Sequence, residues 1–375
     1  MRRAVLLLAL ALAAAGASVA AASAAPPPVQ AEAWLVQNAT TGEVLASHDE
    51  RERRPIASIT KLMTALVALR HGDLDDVVVV PPHAARIGEA TLDLRAGERV
   101  PLRDLLVAAL VQSANDAANA VAAHVGGGSV ARFVALMNAE ARRLGLEDTH
   151  FVNPHGLDAP GHVSSARDVT KLARVAMRER FVRETVRVVH GSAAGRPIAT
   201  WNDLLTQLPR TIGVKTGHTN GAGWSQVAAI RGQGVTIYAT LLGGRTREGR
   251  NGDLAALLRW GLAQYRTSWT IGERTVYATV ATAYDRPRVR LVAGKPALRV
   301  VRIGRPLTER VVAPVEVALP VRKGQRLGRV EVLDRGEVIA ASPLVAAEAV
   351  DRPGRLERVR FYAGRTLHHL GGLFS

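Results

Sequence analysis

The hydrophobic pattern of this 375-residue chain changes near residue 267, and that change limits the folds open to it. Before it, apolar residues at helical spacing fill the middle of the segment, and strands are predicted on both sides, at 33–37 and 212–242. After it come short alternating runs separated by Gly, Pro and charged turns. We therefore predict an α+β domain whose terminal strands share one antiparallel sheet, followed by a small all-β domain.

The first residues have the pattern of an export signal. Arg2 and Arg3 precede an apolar run over 4–15, and the small residues at 22–24 suit cleavage. The apolar run is short for a membrane span. We therefore expect an exported protein that acts outside the cytoplasm, in the periplasm or at the outer face of the cytoplasmic membrane. The predicted division is a signal peptide (1–24), the α+β domain (25–267), the β-rich domain (268–355) and a C-terminal tail (356–375).

Composition excludes several classes of function. The chain has no cysteine, so thiol nucleophiles, thiolate metal sites and disulfides are excluded. Its 11 histidines form no HExxH pattern, and we expect neither a metal nor a cofactor. The formal net charge is +16, but aromatic residues make up only 4% and nucleic-acid-binding motifs are absent. We expect the basic surface to meet anionic wall polymers or lipid headgroups, and no nucleic acid.

Lysine is rare in this chain, which makes its positions informative. Of the 49 basic residues only five are lysines, and two of these, Lys61 and Lys215, lie in apolar segments. Arg serves wherever a positive charge suffices, but only Lys readily loses its proton. We therefore interpret Lys61 as a base, with burial and the cation of Lys215 lowering its pKa.

Ser58 lies three residues before Lys61, in the first turn of a predicted apolar helix. This spacing places both side chains on one helix face. Unpaired N–H groups at a helix start favour developing negative charge, and a serine hydroxyl needs a base before it can act as a nucleophile. The pair therefore predicts a nucleophile with its general base.

Two more polar motifs interrupt apolar segments, Ser113-Ala-Asn115 and Lys215-Thr-Gly217. Each motif alone is more often a helix cap or a strand end. Their occurrence in this order with the first pair, separated by about 55 and 100 residues, is typical of penicillin-recognising serine acyl-enzymes. We predict that Ser113 passes the proton to the leaving amine and that Asn115 hydrogen-bonds the substrate amide and Lys61.

The third motif ends a predicted edge strand, which can pair with an extended peptide. We expect Lys215 and Thr216 to bind the terminal carboxylate of a substrate, while Gly217 leaves room for its backbone. The backbone N–H groups of Ser58 and His218 would form the oxyanion hole.

The chain resembles the D-alanyl-D-alanine carboxypeptidases, low-molecular-mass penicillin-binding proteins of serine peptidase family S11. The resemblance covers about 33–265 and includes Pro55-Ile-Ala-Ser-Ile-Thr-Lys61, Ser113-Ala-Asn-Asp-Ala-Ala118, Asn153-Pro-His-Gly-Leu157 and Gly213-Val-Lys-Thr-Gly-His-Thr219. It implies a β-lactamase/transpeptidase-like domain followed by a β-rich domain. It also implies removal of the terminal D-alanine from peptidoglycan stem peptides through an acyl-Ser58 intermediate, with β-lactam antibiotics as covalent inhibitors. By the same resemblance, Arg250 aligns with a family arginine near the substrate carboxylate.

Other functions stay open. An endopeptidase that cuts peptidoglycan crosslinks would use the same acyl-enzyme. A class A β-lactamase needs a glutamate between the second and third motifs, and none of the four there stands in the expected context: Glu140, Glu147, Glu179 and Glu184. A non-catalytic wall-binding or penicillin-sensing protein would have lost Ser58 or Lys61, and both are present.

The C-terminal tail, 356–375, mixes apolar residues with Arg358, Arg360 and Arg365, whereas Gly364 and two later glycines weaken it as a helix. Peripheral membrane attachment and a simple tail both remain open. The sequence fixes neither the preferred stem peptide nor the oligomeric state.

Overall fold

The computed structural model of the protein describes residues 25–371. The predicted signal peptide, 1–24, lies outside the described residues. The chain divides into two units, Ala24–Tyr265 and a second that begins at Arg266.

The first unit contains both strands and helices. Its strands are β1 (Ala33–Asn38), β2 (Val44–His48), β3 (Val77–Val79), β4 (Arg99–Pro101), β5 (His190–Ala193), β6 (Arg196–Ala199), β7 (Thr211–Thr219), β8 (Gly223–Gly232) and β9 (Val235–Gly244). Its helices are α1 (Lys61–His71), α2 (Pro82–Ala85), α3 (Leu102–Val111), α4 (Asn115–Val125), α5 (Val130–Arg143), α6 (Ala166–Ala176), α7 (Arg180–Thr185), α8 (Leu204–Gln207) and α9 (Arg247–Ala263). A 3₁₀ turn, Ala57–Thr60, leads directly into α1.

The main sheet of this unit has the strand order β2-β1-β9-β8-β7. Every neighbouring pair is antiparallel, with Leu35 opposite Thr240 and Lys215 opposite Val227. Strands from the two ends of the unit thus meet in one sheet, which confirms the predicted α+β arrangement. Strand β7, which carries the third motif, lies at an edge of the sheet.

Helices α1 and α4 form the centre of the helical layer. Most of their side chains are apolar, and both helices are buried along most of their length. Apolar spacing in the sequence predicts a helix over Asn119–Val125, but α4 begins four residues earlier, at Asn115. The prediction was wrong there because Asp116 is buried: its carboxylate accepts hydrogen bonds from the backbone N–H groups of Leu92 and Leu94. Polar residues that read as a loop therefore belong to a buried helix start.

The second unit consists mostly of strands, which confirms the predicted all-β region. They are β10 (Tyr265–Ile271), β11 (Val276–Thr282), β12 (Val289–Ala293), β13 (Ala297–Arg302), β14 (Thr308–Val312), β15 (Glu316–Val317), β16 (Arg326–Asp334) and β17 (Glu337–Ala346). Six of them form a sheet of order β14-β16-β17-β12-β11-β15, and β10 pairs with β13. Val280, Leu291, Val330 and Leu344 are fully buried in its core.

The chain continues into a helix, α10 (Arg355–Gly371), despite the glycines that weaken this stretch. Phe361 and Tyr362 contact Tyr284 edge to face, and Glu357 pairs with Arg286. Across residues 25–371 no single helix is long and apolar enough to cross a membrane; the pair α4 and α5, bent by 89°, passes on length and composition only.

Candidate active site

Ser58 and Lys61 lie at the junction between the 3₁₀ turn and α1. Ile56, just before the turn, and Ile59, within it, are fully buried and anchor the turn in the hydrophobic core. Lys61 Nζ lies 2.7 Å from Ser58 Oγ. The spacing of three residues thus brings amine and hydroxyl into hydrogen-bonding contact.

Lys61 has two further hydrogen-bond partners. Its Nζ donates to Asn115 Oδ1 and to the backbone carbonyl of His155, each at 2.7 Å. These two oxygens can only accept, so a neutral amine gives its two protons to them and directs its lone pair at Ser58 Oγ. The side chain is fully buried. Burial, and then the charge of Lys215, hold the pKa of Lys61 well below 10.5.

The second motif lies in the short connection between α3 and α4. Ser113 takes a positive φ of 69°, and its Oγ accepts a hydrogen bond of 2.9 Å from Lys215 Nζ. Asn115 begins α4, and its Nδ2 donates to the carbonyl of Gly88 at 3.0 Å. That bond turns Asn115 Oδ1 toward Lys61. The second motif therefore contacts both lysines.

Lys215 lies in the buried part of β7 and also donates to the carbonyl of Thr216 at 3.1 Å. Burial, and then the charge of Arg250, lower the pKa of Lys215 to about 7. Two lysines and an arginine are thus packed together in a site where each charge disfavours the next.

Two glycines allow the polypeptide to approach the 3₁₀ turn closely. A Cβ on Gly217 would lie 2.7 Å from the carbonyl oxygen of Ile56 and 3.2 Å from Ser58 N. A Cβ on Gly156 would lie 1.9 Å from the carbonyl oxygen of Ala57, and Gly156 has φ +93°. Gly217 thus makes room for the turn that carries Ser58. The sequence predicted only that it makes room for the substrate backbone.

The motifs open into a cleft of about 250 Å³. It is lined by Ser58, Glu89, Ala90, Ser113, Asn115, Leu157, Trp201, Thr216, Gly217, His218, Thr219, Trp224, Arg247 and Arg250. Seven of the nine residues proposed from the sequence are among them. The other two, Lys61 and Lys215, are buried behind Ser58 and Ser113 and contact the hydroxyl groups of these serines from within the protein.

Arg250 is held at the cleft by residues that the sequence analysis did not single out. Its guanidinium donates to Asn251 Oδ1 at 2.7 Å and lies 3.5 Å from the Asp203 carboxylate. It also lies 5.6 Å from the ring centroid of Trp224. Asp203 in turn accepts a 2.6 Å hydrogen bond from Arg247. Burial lowers the pKa of Arg250 to about 10, so it remains charged at neutral pH.

The glutamates considered for a β-lactamase lie elsewhere. Glu140 pairs with Arg143, Glu147 with Arg51 and Glu184 with Arg180. Neither these three nor Glu179 lines the cleft. Among the described residues, no group of three or more His, Cys, Asp or Glu side chains is arranged to hold a metal ion.

The fold and the paired Ser–Lys geometry define the class of penicillin-recognising serine acyl-enzymes. Residues 20–246 match the family model described as D-alanyl-D-alanine carboxypeptidase, peptidase family S11. The chain belongs to this family.

Individual relatives extend the match beyond the first unit. The chain is 33% identical over 364 residues to the D-alanyl-D-alanine carboxypeptidase DacD of Salmonella typhimurium, covering 89% of this chain and 90% of that protein. Its structure is similar to penicillin binding protein 6B from Escherichia coli, with a TM-score of 0.66 and 30% identity over 87% of this chain and 98% of that one. The Streptomyces K15 DD-transpeptidase matches with a TM-score of 0.60 and 30% identity over 63% of this chain and 99% of its own.

Proposed function

We propose that this protein is a serine-type D-Ala-D-Ala carboxypeptidase that removes the terminal D-alanine of peptidoglycan pentapeptide through an acyl-Ser58 intermediate. One observation carries the proposal: Lys61 Nζ lies 2.7 Å from Ser58 Oγ, and its other two partners only accept hydrogen bonds. This geometry supports a neutral lysine that removes the serine proton.

In the proposed acylation, Ser58 Oγ attacks the carbonyl carbon of the penultimate D-alanine while Lys61 takes the hydroxyl proton. The backbone N–H groups of Ser58 and His218 stabilise the negative charge on the carbonyl oxygen. The C–N bond then breaks, and Ser113 passes a proton from Lys61 to the departing D-alanine amine. Water then attacks the ester carbon while Lys61 takes one of its protons. The bond between that carbon and Ser58 Oγ breaks, Lys61 returns the proton to Oγ, and the shortened peptide leaves with a new carboxylate.

We assign substrate binding to the residues around this centre. The free edge of β7 pairs with the extended peptide. Thr216 and Arg250 line the cleft and bind the terminal carboxylate. Lys215 lies behind them and adds a positive potential from within when it is protonated. Asn115 both orients Lys61 and hydrogen-bonds the substrate amide.

β-Lactams acylate Ser58 through the same groups. Because no glutamate of the 140–184 segment lines the cleft to activate water, we expect the acylated drug to be released slowly.

We also propose that residues 1–24 direct export and that catalysis takes place on the outer side of the cytoplasmic membrane, where peptidoglycan is found. The tail offers a membrane contact: in α10, Leu356, Val359 and Tyr362 are exposed beside the exposed Arg358 and Arg360. Co-sedimentation of the mature protein with anionic vesicles, compared with a version ending at residue 354, tests this contact.

The activity is tested by incubating the purified protein with a pentapeptide and, separately, with crosslinked muropeptides. Free D-alanine from the pentapeptide is the expected product, and cleavage confined to crosslinks would replace the proposal with an endopeptidase. Fluorescent penicillin should label the wild-type protein but not Ser58→Ala. Equal labelling of the variant would remove Ser58 from the mechanism, and no turnover despite labelling would favour a penicillin-sensing role.

A further inference from the structure

A second cavity in the first unit is lined by a cluster of arginines. It measures about 190 Å³ and shares no lining residue with the active-site cleft. Its charged lining consists of Arg174, Arg178, Arg183 and Arg231, which surround Tyr238. We call these five side chains the arginine cavity.

The members of the arginine cavity come from four different segments. Arg174 lies in the last turn of α6, and Arg178 just follows that helix. Arg183 comes from α7, Arg231 from the end of β8 and Tyr238 from β9. Because Arg231 and Tyr238 are distant in sequence from the other three residues, the fold is needed to bring the complete cluster together.

The partners of these arginines in the protein are neutral. Arg174 donates to Gln37 Oε1 at 3.0 Å and to the carbonyl of Ala39 at 2.7 Å. Arg183 donates to two carbonyls at the end of α6, each at 3.1 Å. Within the described residues, no carboxylate lines the cavity or forms an ion pair with any of the four guanidinium groups. Burial, and then the charge of Arg178, lower the pKa of Arg174, which shows that the cluster disfavours its own charge.

Tyr238 adds a neutral donor to this cluster. Its side chain is only 4% exposed. Burial raises its pKa to about 12, so the phenol keeps its proton at neutral pH although three arginines act on it. The phenol O–H is therefore available to donate a hydrogen bond to an anion.

We propose that the arginine cavity binds a phosphate group, as a soluble phosphate ester or as the headgroup of an anionic lipid. Guanidinium forks bond two oxygens at once, and several forks with a hydroxyl suit a group with three or four oxygens better than a carboxylate with two. A bound phosphate supplies the negative charge that the protein itself does not place there. This site is independent of the acyl-enzyme chemistry, because the two cavities have no lining residue in common.

The proposal is tested by calorimetric titration of the mature protein with inorganic phosphate and with glycerol 3-phosphate, using acetate as the carboxylate comparison. Phosphate should bind and acetate should not bind measurably. Arg231→Gln should weaken phosphate binding by about tenfold or more, the usual effect of losing one charge-assisted hydrogen bond. Arg142→Gln, an exposed position outside the cavity, removes the same charge and should leave the affinity unchanged. Both variants should keep the wild-type rate of penicillin acylation, which confirms the fold.

The source of the phosphate is tested with vesicles of phosphatidylglycerol, and of phosphatidylcholine as the comparison. Loss of phosphatidylglycerol binding in Arg231→Gln, but not in Arg142→Gln, assigns the site to a lipid headgroup. Binding of the soluble phosphates alone assigns it to a soluble ester. The proposal is overturned if phosphate does not bind at millimolar concentration, if acetate binds equally well, or if both variants lose the same affinity.

Discussion

Lys61 illustrates how single residues determine the chemistry of this site. A lysine in water is protonated at neutral pH, but here its side chain is fully buried and Lys215 lies near it. A neutral amine donates its two protons to Asn115 Oδ1 and to the His155 carbonyl oxygen, which can only accept. Its lone pair then points toward Ser58 Oγ. Burial and the charge of Lys215 therefore favour the neutral amine, and the two hydrogen bonds leave its lone pair directed at Ser58 Oγ.

The first prediction concerns the base itself. Lys61→Arg keeps a long basic side chain, but a guanidinium stays protonated and cannot accept the serine proton, so penicillin acylation should fall by about 10²–10⁴-fold, the usual contribution of a general base. Lys171→Arg is the matched control, because Lys171 is exposed and donates only to the carbonyl of Gly145. Stopped-flow acylation kinetics of both variants provide the measurement. Wild-type rates in Lys61→Arg would exclude the base role.

A second prediction concerns Arg250 and the substrate carboxylate. Arg250→Gln should lower kcat/KM for a peptide ending in D-Ala-D-Ala by about tenfold or more, because one charged hydrogen bond is lost. The same peptide with a C-terminal amide lacks the carboxylate, so its smaller kcat/KM should change little. Steady-state kinetics with the two peptides provide the comparison. An equal loss for both peptides would show that Arg250 supports the fold of the cleft rather than the carboxylate.

At the residue scale, the sequence identified candidate site residues but not all the groups that hold them in place. The scarcity of lysine was enough to single out Lys61 and Lys215 as candidates, and the structure places them in contact with Ser58 and Ser113. The contribution of His155 was missed because it is made by a backbone carbonyl, which has no sequence signature. Asp203 was missed because its link to Arg247 and Arg250 exists only after the chain has folded.

At the scale of elements, the site depends on how closely the segments approach the 3₁₀ turn. The loop that carries the His155 carbonyl passes over Ala57, and Gly156 makes this contact tolerable. Strand β7 approaches the same turn through Gly217. Lys61 and Ser58, the proposed base and nucleophile, are therefore positioned by packing of backbone on backbone.

Gly156→Ala tests this packing. Its Cβ would lie 1.9 Å from the Ala57 carbonyl oxygen, so the loop must move and withdraw the His155 carbonyl from Lys61. We expect a lower thermal stability and penicillin acylation slowed by about tenfold or more, since Lys61 loses one hydrogen bond. Gly128→Ala is the control: its φ is +86°, close to the +93° of Gly156, but no atom lies within 4 Å of the new Cβ. That variant should lose only about 1–2 kcal/mol of stability and keep its acylation rate. Equal acylation in both variants would contradict the account.

Element boundaries were harder to predict than element types. Apolar spacing in the sequence predicts a closing helix over Leu254–Leu262, but α9 begins at Arg247. The difference arises because a Thr246 cap stabilises a polar first turn. Strand β17 was missed: its register includes Pro343, which masks a strand in the sequence. Both differences arise from polar or conformational features that hydrophobic spacing does not contain.

At the scale of the whole molecule, burial of Lys215 in the site lowers the free energy of unfolding. Lys215 is buried with its pKa lowered to about 7, so between that pH and 10.5 the unfolded chain binds a proton that the folded protein does not. The free energy of unfolding should therefore rise with pH in this window. Below pH 7 the destabilisation by the buried, protonated Lys215 is fully present. One such proton corresponds to about 1.4 kcal/mol per pH unit.

Urea unfolding at several pH values between 7 and 9.5 measures this dependence. The free energy of unfolding should rise more steeply in the wild type than in Lys215→Gln, because the variant lacks the titrating amine. Equal slopes in the two proteins would show that Lys215 is not the source of the pH dependence.

The central claim, that Lys61 is neutral when it meets Ser58, can be measured directly because the chain has only five lysines. The protein is labelled with ¹³C at lysine Cε, and each resonance is followed as a function of pH; the Lys61 resonance is assigned by its loss in Lys61→Arg. The account predicts that Lys61 titrates well below 10.5. Titration of that resonance at 10.5 would mean that Lys61 is an ammonium ion at neutral pH and would contradict its role as the base.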